Sequence, residues 1–582
     1  MKRVITILIL VTSSGMWAQS IISNVATLHC RPGQRGGVYS DFTYSESPNF
    51  NYIGCKTMPD DVYFDDILLL SDEGKDLEIS GSKYLVVQID KTNQYVNHVE
   101  LKIETPPPLS TGTNLAAYHS IGIYSDESGL YLYGTVVKTD SLYLNEKLLR
   151  SVNKSMGFIL QFDESLNLVD EFYFQEKNPN IEVWLKEIYI KDNRLVLFGS
   201  FLGRGEAFIQ PMDIANESIF PILIGGENLT EFVIALDRKS KKIVRHIPFI
   251  QASVGFFSLN DIDEDDDGNI YVATKNNGGK FIVAGKTVPI NRHFDYGAVS
   301  FSIDTLDKLN FIMNYEGYGV EDVTMIKGSC DENVYEVGYM TYFAPIMHEI
   351  YMYMNYDSIR INERNSEFIL KRDKSGNLQW FKYSGCNTGY DSWLSMDCSH
   401  QDYLVMGGFT WCSEKFEQKG VIRFIDKSTG LQLKEYLLVK DTFVTGFAVH
   451  RVKYQADGSF KVLAYLGAQT RVKGPSYFNL AGQSVKLPTD GSLFIFDFRP
   501  SLLKTEENKN GGVILFPNPV SVGETVRIDN ENAGVEEYKF LDIMGRIVKE
   551  VKGPETVVDL VSGMYFLTTS DRKIIGKIVV VR

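Results

Sequence analysis

The sequence is poor in the residues that build most metal sites and disulfide frameworks. Its 582 residues include 8 His and 6 Cys. The histidines are scattered singly, with no H-E-x-x-H segment and no pair four residues apart, so a zinc site lacks support. Six cysteines in a chain of this length are compatible with zero to three disulfides and are far too few for a disulfide scaffold.

Sequence motifs for covalent catalysis and nucleotide binding are also missing. There is no G-x-S-x-G elbow and no G-x-x-x-x-G-K-[ST] loop, and the sequence singles out no catalytic residue. The 74 acidic residues offer many carboxylate pairs, and the separation that would identify a glycosidase is spatial. The sequence therefore favours a protein that is not an enzyme and leaves a carboxylate-based hydrolase as the alternative.

Basic residues are outnumbered. Lys and Arg total 59 against 74 Asp and Glu, a formal net charge of −15. This balance disfavours nucleic acid as a partner, and a charged partner would be cationic or a metal ion. Apolar residues reach 44%, with 32 Tyr and 35 Phe, which is too rich in aromatics for a disordered chain.

Long hydrophobic runs are confined to the N-terminus. Lys2 and Arg3 precede the apolar run 4–11, and small or polar residues follow up to Ala18. This pattern is typical of a secretory signal peptide, residues 1–18, cleaved after Ala18. No later stretch reaches the roughly 18 uncharged apolar residues that a membrane helix needs. We therefore expect an exported protein with no transmembrane segment.

A short apolar strand ending in Asp recurs seven times. The terminal aspartates are 73, 74, 67, 69, 53 and 71 residues apart along the chain. Self-similarity at such a period is the signature of a repeat architecture. The recurrences are 84–90, 158–163, 232–237, 298–304, 368–373, 421–426 and 493–497.

The order of signals within one repeat predicts four antiparallel strands. The clearest unit is 259–315, where an acidic turn ending in Gly268 joins two strands, a Gly-rich excursion follows at 278–285, and the strand ending at Asp304 and one further strand complete the unit. Seven such sheets bury their faces when they pack radially. We predict an all-β protein, a seven-bladed β-propeller over 19–504, with an open solenoid as the alternative.

Two of the repeats carry a known pattern. Gly268-Asn269-Ile270-Tyr271-Val272 and Gly376-Asn377-Leu378-Gln379-Trp380 resemble the SBBP-type propeller repeats of large secreted bacterial proteins. The other units match that pattern only loosely. The resemblance implies an architecture and does not specify a function.

The C-terminal region reads as a separate domain. Residues 505–512 are polar and turn-rich, which predicts a linker. Four strand-like segments follow within 513–582, separated by Gly and Pro, and they predict a small Ig-like β-sandwich.

A succession of short motifs in this domain resembles the type A C-terminal sorting domain of the type IX secretion system. The motifs are Pro-Asn-Pro, D-x-x-G-R, G-x-Y and a terminal K-I-V-V. The matching residues are Pro517, Asn518, Pro519, Gly545, Arg546, Gly563, Tyr565 and Lys577. The resemblance implies a substrate that crosses the outer membrane through the type IX machinery, after which the domain is clipped off and the passenger is released or anchored at the surface. These residues would be signals for a transporter.

One acidic segment has the spacing of a calcium loop. Asp263, Asp265 and Asp267, followed by Gly268, fit D-x-D-x-D-G, which can direct three carboxylates at Ca²⁺. Thr274 stands where an EF-hand would supply its bidentate Glu. Asp and Gly are also favoured by turn chemistry alone. The plain hairpin turn is the preferred interpretation, and no other cofactor is indicated.

Two long-range pairings are predicted. Cys398 and Cys412 lie on the two strands of one expected hairpin and are candidates for a disulfide. The seventh repeat lacks a clear fourth strand, whereas the mature N-terminus offers a spare β-prone segment. We predict that residues 22–28 pair with the strand ending at Asp497 and tie the two ends of the repeat array together.

The expected function is that of a secreted or cell-surface binding protein with a protein or glycan ligand, because propellers present loop-rich faces and a central channel. The alternatives are a secreted hydrolase of polysaccharide or peptide with an acidic site at the channel, and a passive structural spacer. The two carboxylates of such a hydrolase would lie about 5 to 10 Å apart in a deep pocket.

Overall fold

The fold is known from a computed structural model. It describes residues 21–30, 38–57, 62–65, 67–70, 81–104, 121–136, 140–152, 155–176, 181–203, 205–211, 219–224, 230–251, 256–277, 281–283, 286–288, 297–316, 320–341, 350–354, 357–361, 365–386, 391–411, 418–440, 447–466, 476–480, 483–487, 493–500, 513–516, 520–522, 525–530, 537–541, 546–552, 555–557, 559–561, 563–569 and 574–581.

The all-β class predicted from the sequence is confirmed. The described residues form strands and turns and contain no helix. None of their segments is therefore a helix long and apolar enough to cross a membrane. The chain divides into two compact units, Ile21–Arg499 and a second unit that includes Pro500–Arg582.

The unit Ile21–Arg499 consists of seven antiparallel sheets, I to VII, with strands numbered in chain order. Sheet I comprises β2 (Val38–Glu46), β3 (Phe50–Thr57), β6 (Gly81–Asp90), β7 (Tyr95–Glu104), β10 (Ser141–Leu144) and β11 (Lys147–Ser151). Sheet II comprises β8 (Ile121–Asp126), β9 (Gly129–Val136), β12 (Met156–Phe162), β13 (Leu168–Glu176), β16 (Gly205–Pro211) and β17 (Ile219–Ile224). Sheet III comprises β14 (Ile181–Lys191), β15 (Arg194–Gly203), β18 (Thr230–Asp237), β19 (Ile243–Gln251), β22 (Phe281–Val283) and β23 (Lys286–Val288).

The remaining four sheets follow the same order. Sheet IV comprises β20 (Phe256–Glu264), β21 (Ile270–Asn277), β24 (Gly297–Ile303), β25 (Leu309–Glu316), β28 (Ile350–Met354) and β29 (Asp357–Ile361). Sheet V comprises β26 (Val320–Lys327), β27 (Asn333–Thr341), β30 (Asn365–Asp373) and β31 (Leu378–Cys386). Sheet VI comprises β32 (Asp391–Asp397), β33 (Tyr403–Thr410), β34 (Lys419–Asp426), β35 (Gln432–Lys440), β38 (Ser476–Leu480) and β39 (Gln483–Leu487). Sheet VII comprises β36 (Phe447–Tyr454), β37 (Phe460–Leu466), β40 (Leu493–Arg499), β1 (Ile21–Cys30), β4 (Val62–Phe64) and β5 (Ile67–Leu70).

Six of the seven sheets contain two more strands than the four predicted from the sequence. The excursion between the second and third strands of a repeat folds as a hairpin and extends the preceding sheet. The hairpin β22–β23, for example, lies between β21 and β24 of sheet IV in the sequence, but its strand β22 pairs with β19 of sheet III. We term such an element a crossing hairpin. It links two neighbouring sheets, because its residues belong to one repeat and its backbone pairs with the sheet of the preceding repeat.

The predicted pairing of the N-terminal strand is confirmed. β1 runs antiparallel to β40, with Ile22 opposite Phe498 and Leu28 opposite Leu493. The crossing hairpin β4–β5 of the first repeat lies outside β1, where β4 pairs with Leu28 to Cys30. The two ends of the repeat array therefore share one sheet, which removes an open edge.

The recurrent aspartates that mark the repeats cap turns. Asp373 accepts hydrogen bonds from the backbone N–H groups of Ser375 and Asn377, at 3.0 and 2.9 Å. The shape is an Asx turn, which replaces backbone hydrogen bonds that the tight turn cannot make. The same cap is formed by Asp90, Asp163 and Asp304. Asp237 and Asp426 form related caps in which the backbone N–H three residues on donates to the carboxylate. The seventh aspartate, Asp497, is followed by two further residues of its strand, forms an ion pair with Lys461 and accepts a hydrogen bond from Asn24 of β1.

In three repeats the residue directly after the capping aspartate is a cation that forms an ion pair with the preceding sheet. Arg238, Lys374 and Lys427 each lie 3.0 to 3.4 Å from an aspartate in the first turn of the preceding sheet. The partners are Asp126, Asp265 and Asp331, respectively. Because these turns are partly buried, the pairs are screened less than ordinary surface ion pairs.

The hydrophobic core lies between neighbouring sheets. One cluster joins Phe172 and Phe174 of sheet II to Leu185, Leu197 and Phe232 of sheet III. Equivalent clusters join sheets I and II, III and IV, IV and V, V and VI, and VII and I, because the faces of these sheets are apolar where a neighbour covers them.

The predicted bridge between Cys398 and Cys412 is wrong. Cys398 forms its disulfide with Cys330, across Cα atoms 5.6 Å apart. Cys330 lies in the first turn of sheet V and Cys398 follows the first strand of sheet VI, so that the bond joins two repeats. Cys412 lies outside the described residues. Sequence spacing suggested a bond within a hairpin, whereas the contact of neighbouring sheets brings together residues 68 positions apart.

The C-terminal unit contains two further sheets. One comprises β41 (Val513–Phe516), β43 (Thr525–Asn530) and β46 (Glu555–Val557). The other comprises β42 (Val520–Ser521), β48 (Ile574–Val581), β47 (Gly563–Thr569), β44 (Glu537–Leu541) and β45 (Ile547–Lys552), with β42 parallel to β48. The predicted linker, 505–512, lies outside the described residues.

Candidate functional site

The first strand of every repeat lies at an edge of its sheet. These strands are β2, β8, β14, β20, β26, β32 and β36, and most of them contact the first strand of a neighbouring sheet. Their unpaired edges therefore gather in one region of the molecule. A polar side chain on this side of a first strand is therefore close to the first strands of other repeats.

Five first strands carry a β-bulge at matching positions. The register shifts after Leu185 in β14, Leu259 in β20, Val323 in β26, Trp393 in β32 and Val449 in β36. A bulge inserts one residue and re-aims the side chains beside it. The strand can then keep its apolar residues in the core on both sides of the bulge and still present a polar residue between them.

Five charged residues from four first strands act on one another electrostatically, and we term them the central charged cluster. They are Glu187 of β14, Asp261 and Asp263 of β20, Lys327 of β26 and Arg451 of β36. Glu187, Asp261 and Arg451 each directly follow a bulged position.

Backbone groups and one ion pair hold the acidic wall of the cluster. Asp261 lies 3.2 Å from the Lys327 ammonium and accepts a hydrogen bond of 2.9 Å from the backbone N–H of Ile326. Asp263 accepts bonds of 2.8 Å from the N–H groups of Gly328 and Ser329. Hydrogen bonds thus hold both carboxylates against sheet V.

Burial and the neighbouring charges shift the pKa of Glu187. Burial raises the pKa of Glu187 to about 7, the negative charges of Asp261 and Asp263 add to the rise, and Lys327 and Arg451 oppose it. Burial alone would lower the pKa of Lys327, but Asp261, Asp263 and Glu187 raise it. The cluster therefore holds a charged lysine at neutral pH, and Glu187 keeps its proton to a higher pH than an ordinary glutamate does.

Glu187 and Arg451 differ from the other members in their partners. No hydrogen bond or ion pair among the described residues involves either side chain. Arg451 is exposed and Glu187 is partly exposed. The cluster thus offers one carboxyl and one guanidinium group to a molecule from solution.

The three aspartates of the predicted calcium loop point to separate partners. Asp265 accepts hydrogen bonds from the backbone N–H groups of Asp267 and Asn269 and from the Tyr271 hydroxyl. Burial alone would raise the pKa of Asp265, but the hydrogen bonds from Asn269 and Tyr271 lower it. Asp263 turns to sheet V, as described above, and Asp267 is exposed near Lys374.

The segment that contains them is the hairpin turn between β20 and β21. Within the described part of the chain, no group of three or more His, Cys, Asp or Glu side chains is arranged to hold a metal ion.

The residues that resemble a sorting signal occupy the second sheet of the C-terminal unit where they are described. Gly563 begins β47, and the buried Tyr565 donates a hydrogen bond of 2.7 Å to the Val561 carbonyl. Lys577 lies on β48 opposite Phe566, and Arg546 is exposed just before β45. Pro517, Asn518, Pro519 and Gly545 lie outside the described residues.

Sequence reasoning did not find Glu187, Lys327 or Arg451. A local signal for two of them was present, since Lys186-Glu187 and His450-Arg451 are consecutive polar residues in the middle of their strands. Two adjacent polar residues break the two-residue alternation of a strand and indicate a bulge. Which bulges face one another depends on the packing of the sheets.

Comparisons with known proteins add little to this description. The chain matches no family model and no curated protein sequence. Among solved structures, one described as the crystal structure of an ACO/RPE65 chimera is 10% identical, with 70% of this chain and 88% of that chain covered at a TM-score of 0.30. A likeness with so low a TM-score carries no argument about this chain.

Proposed function

We propose that this protein is an exported seven-bladed β-propeller that binds a partner molecule, without catalysis, through the gathered edges of its first strands. The observation that carries the proposal is the central charged cluster. Charged residues from four repeats act on one another there, and two of them, Glu187 and Arg451, form no hydrogen bond or ion pair with a described residue. A protein that served only as a structural spacer would not need charged groups in this arrangement.

The propeller architecture is supported by the order of sheet contacts. Each of the seven sheets contacts the next one in the chain, and sheet VII contacts sheet I through β1 and β2. Six crossing hairpins and the β1–β40 pairing link the sheets in the same order. A radial arrangement satisfies all of these contacts at once and leaves only short edges.

The proposed route of export is the type IX secretion system. It is supported by the signal-like residues 1–18 and by the sorting-type motifs in the separate C-terminal unit. The mature propeller would then be released or held at the cell surface, and the type IX machinery would be its first partner.

Deleting residues 512–582 in a host with type IX machinery tests this route. We expect the truncated protein to fold, because Ile21–Arg499 is a compact unit of its own, but to stay inside the cell envelope. A full-length protein with Arg499→Gln, outside the C-terminal motifs, is the matched control and should reach the medium or the surface. Surface delivery of the truncated chain would overturn the sorting assignment.

The second candidate function is hydrolysis of a polysaccharide or peptide. One observation favours it: the pKa of Glu187 is raised to about 7 beside the ion-paired Asp261, which is the division into proton donor and ionised carboxylate that such enzymes use. Release of reducing ends or peptides by the wild type, lost in Glu187→Gln, would support this candidate over simple binding.

A further inference from the structure

The fourth strand of sheet V, β31, has an edge that no described strand covers. In five other sheets the first strand of a crossing hairpin runs antiparallel to the end of the fourth strand, as β22 does along residues 249–251 of β19. The same pairing joins β10 to β7, β16 to β13, β28 to β25 and β38 to β35. Among the described residues β31 pairs with β30 alone. The outer edge of β31 at residues 384–386, the equivalent place, is what we term the open edge.

The side chains of β31 are less buried than those of the other fourth strands. No described side chain of β31 is buried, whereas β7, β13, β19, β25 and β35 each contain at least one that is. Tyr383 occupies the position on β31 that Tyr173 occupies on β13 and Tyr315 on β25. Those two tyrosines are at most 1% exposed, but Tyr383 is partly exposed, as are Trp380 and Phe381. Aromatic rings on an uncovered edge are typical of a surface that a partner buries.

The open edge lies in a recess between two wider sheets. Phe381 and Tyr383 pack against the core shared with sheet IV, and the Trp380 indole N–H donates to the Lys427 carbonyl of sheet VI at 3.0 Å. Sheets IV and VI each contain two strands more than sheet V. Because neighbouring strands are about 4.8 Å apart, the recess is about 10 Å deep. One or two added strands fit this space, whereas a second copy of the whole unit would meet the wider sheets first.

Lys382 gives this part of β31 a positive charge. Its stem lies beside Trp380 against sheet VI, where a Cβ at Gly430 would be 3.0 Å from Lys382 Cγ. Its ammonium group forms no hydrogen bond or ion pair with a described residue. β31 contains no acidic residue, so pairing with a second copy of itself would add another lysine and no carboxylate. A strand with a carboxylate opposite Lys382 is the complementary partner.

We propose that the open edge binds an extended segment of a partner protein by strand addition, with an Asp or Glu of that segment opposite Lys382. The segment takes the place that a crossing hairpin takes in the other sheets and runs antiparallel to residues 382–386. Backbone hydrogen bonds supply affinity, and the aromatic rings and Lys382 select the side chains of the segment. β31 and the first strand β26 are the two opposite edges of sheet V, so this surface is separate from the central charged cluster.

The probe is a display library of random twelve-residue peptides, selected on the mature full-length protein. We expect enriched sequences that are rich in β-branched and aromatic residues and carry an acidic residue. Hydrogen exchange with and without an enriched peptide should show new protection of backbone N–H groups within residues 382–386. Enrichment of no peptide, or protection confined to other strands, would overturn the inference. Protection at the first strands would do so while supporting the proposed function.

Charge reversal tests the contact with Lys382. Lys382→Glu should weaken binding of an acidic peptide at least fivefold and should strengthen binding of the same peptide with lysine in place of its acidic residue. The matched control is Lys434→Glu on β35, a fourth strand that β38 covers, and it should change neither affinity. Unchanged binding by Lys382→Glu would overturn the acidic contact.

Two measurements on the free protein exclude other occupants of the open edge. Slow exchange at residues 384–386 without peptide would show that the chain itself fills the edge, and dimerisation in sedimentation that Lys382→Glu alters would assign the edge to a second copy. Either result would overturn the inference. Thermal unfolding establishes that the variants are folded, and Lys382→Gln, which should weaken binding of the acidic peptide without favouring the basic one, replaces Lys382→Glu if the latter is unstable.

Discussion

Cys330 and Cys398 join sheets V and VI, the junction at which the segment between the second and third strands of the repeat is shortest. Eight residues, 411–418, separate β33 from β34, whereas 26 residues, 204–229, separate the corresponding strands β15 and β18 of sheet III. Sheet V accordingly has four described strands, and the others have six. The disulfide thus joins the pair of sheets between which the described residues form no crossing hairpin.

Replacing both cysteines by serine should destabilise the propeller unit by about 2–4 kcal/mol, because the bond restricts a long loop in the unfolded chain. Thermal unfolding with and without a reductant measures the effect. The wild type should lose stability on reduction and approach the double variant, which itself should not respond. A double variant as stable as the oxidised wild type would contradict this role.

The strand that joins the two ends of the array should be essential for stability. Leu28 on β1 is 1% exposed between the neighbouring strands, so Leu28→Ala should cost about 2–5 kcal/mol through lost burial and a residual cavity. The control Ile67→Ala removes a side chain that is 45% exposed in the same sheet and should change stability by less than about 0.5 kcal/mol. Equal effects of the two substitutions in chemical unfolding would show that β1 is not part of the core.

The raised pKa of Glu187 predicts a pH dependence of stability. The pKa rises from 4.5 to about 7 on folding. Between these values the unfolded chain has released the proton and the folded one retains it, so the stability that Glu187 contributes is fully present below pH 4.5 and is lost as pH rises to about 7.

The Glu187→Gln variant supplies the reference, because glutamine stays neutral throughout. The melting temperature of the wild type relative to this variant should fall as pH rises from 4.5 to 7 and level off above. A difference that stays constant over this range would show that Glu187 ionises normally in the folded protein.

Chelator should have little effect on thermal stability. The carboxylate of Asp265 is engaged by its own turn and by Tyr271, and Asp263 is bound to backbone N–H groups of sheet V. Unfolding in EDTA, compared with unfolding in added calcium, checks this. A midpoint lower by more than about 10 °C in EDTA would mean several kcal/mol of linked metal binding and would reverse the preference for a plain turn.

Local signals were enough for the repeats and their turns. Asp373 could be assigned to the end of a strand from sequence because an Asx turn uses only residues two and four positions away. The pairing of β1 with β40 was also predictable, since one repeat lacked a strand and the N-terminus had one to spare. The pairing of the crossing hairpins was not predictable from the sequence, because a hairpin of ordinary composition can extend either the sheet of its own repeat or the preceding sheet.

Strand alternation and turn chemistry act over a few residues, so the all-β class, the number of recurrences and the turns after the aspartates follow from local sequence. The disulfide between Cys330 and Cys398 and the electrostatic influence of Lys327 and Arg451 on Glu187 follow from the packing of the sheets. These residues lie 68 or more positions apart. Their contacts depend on which sheet faces are buried against each other, and no local pattern records that choice.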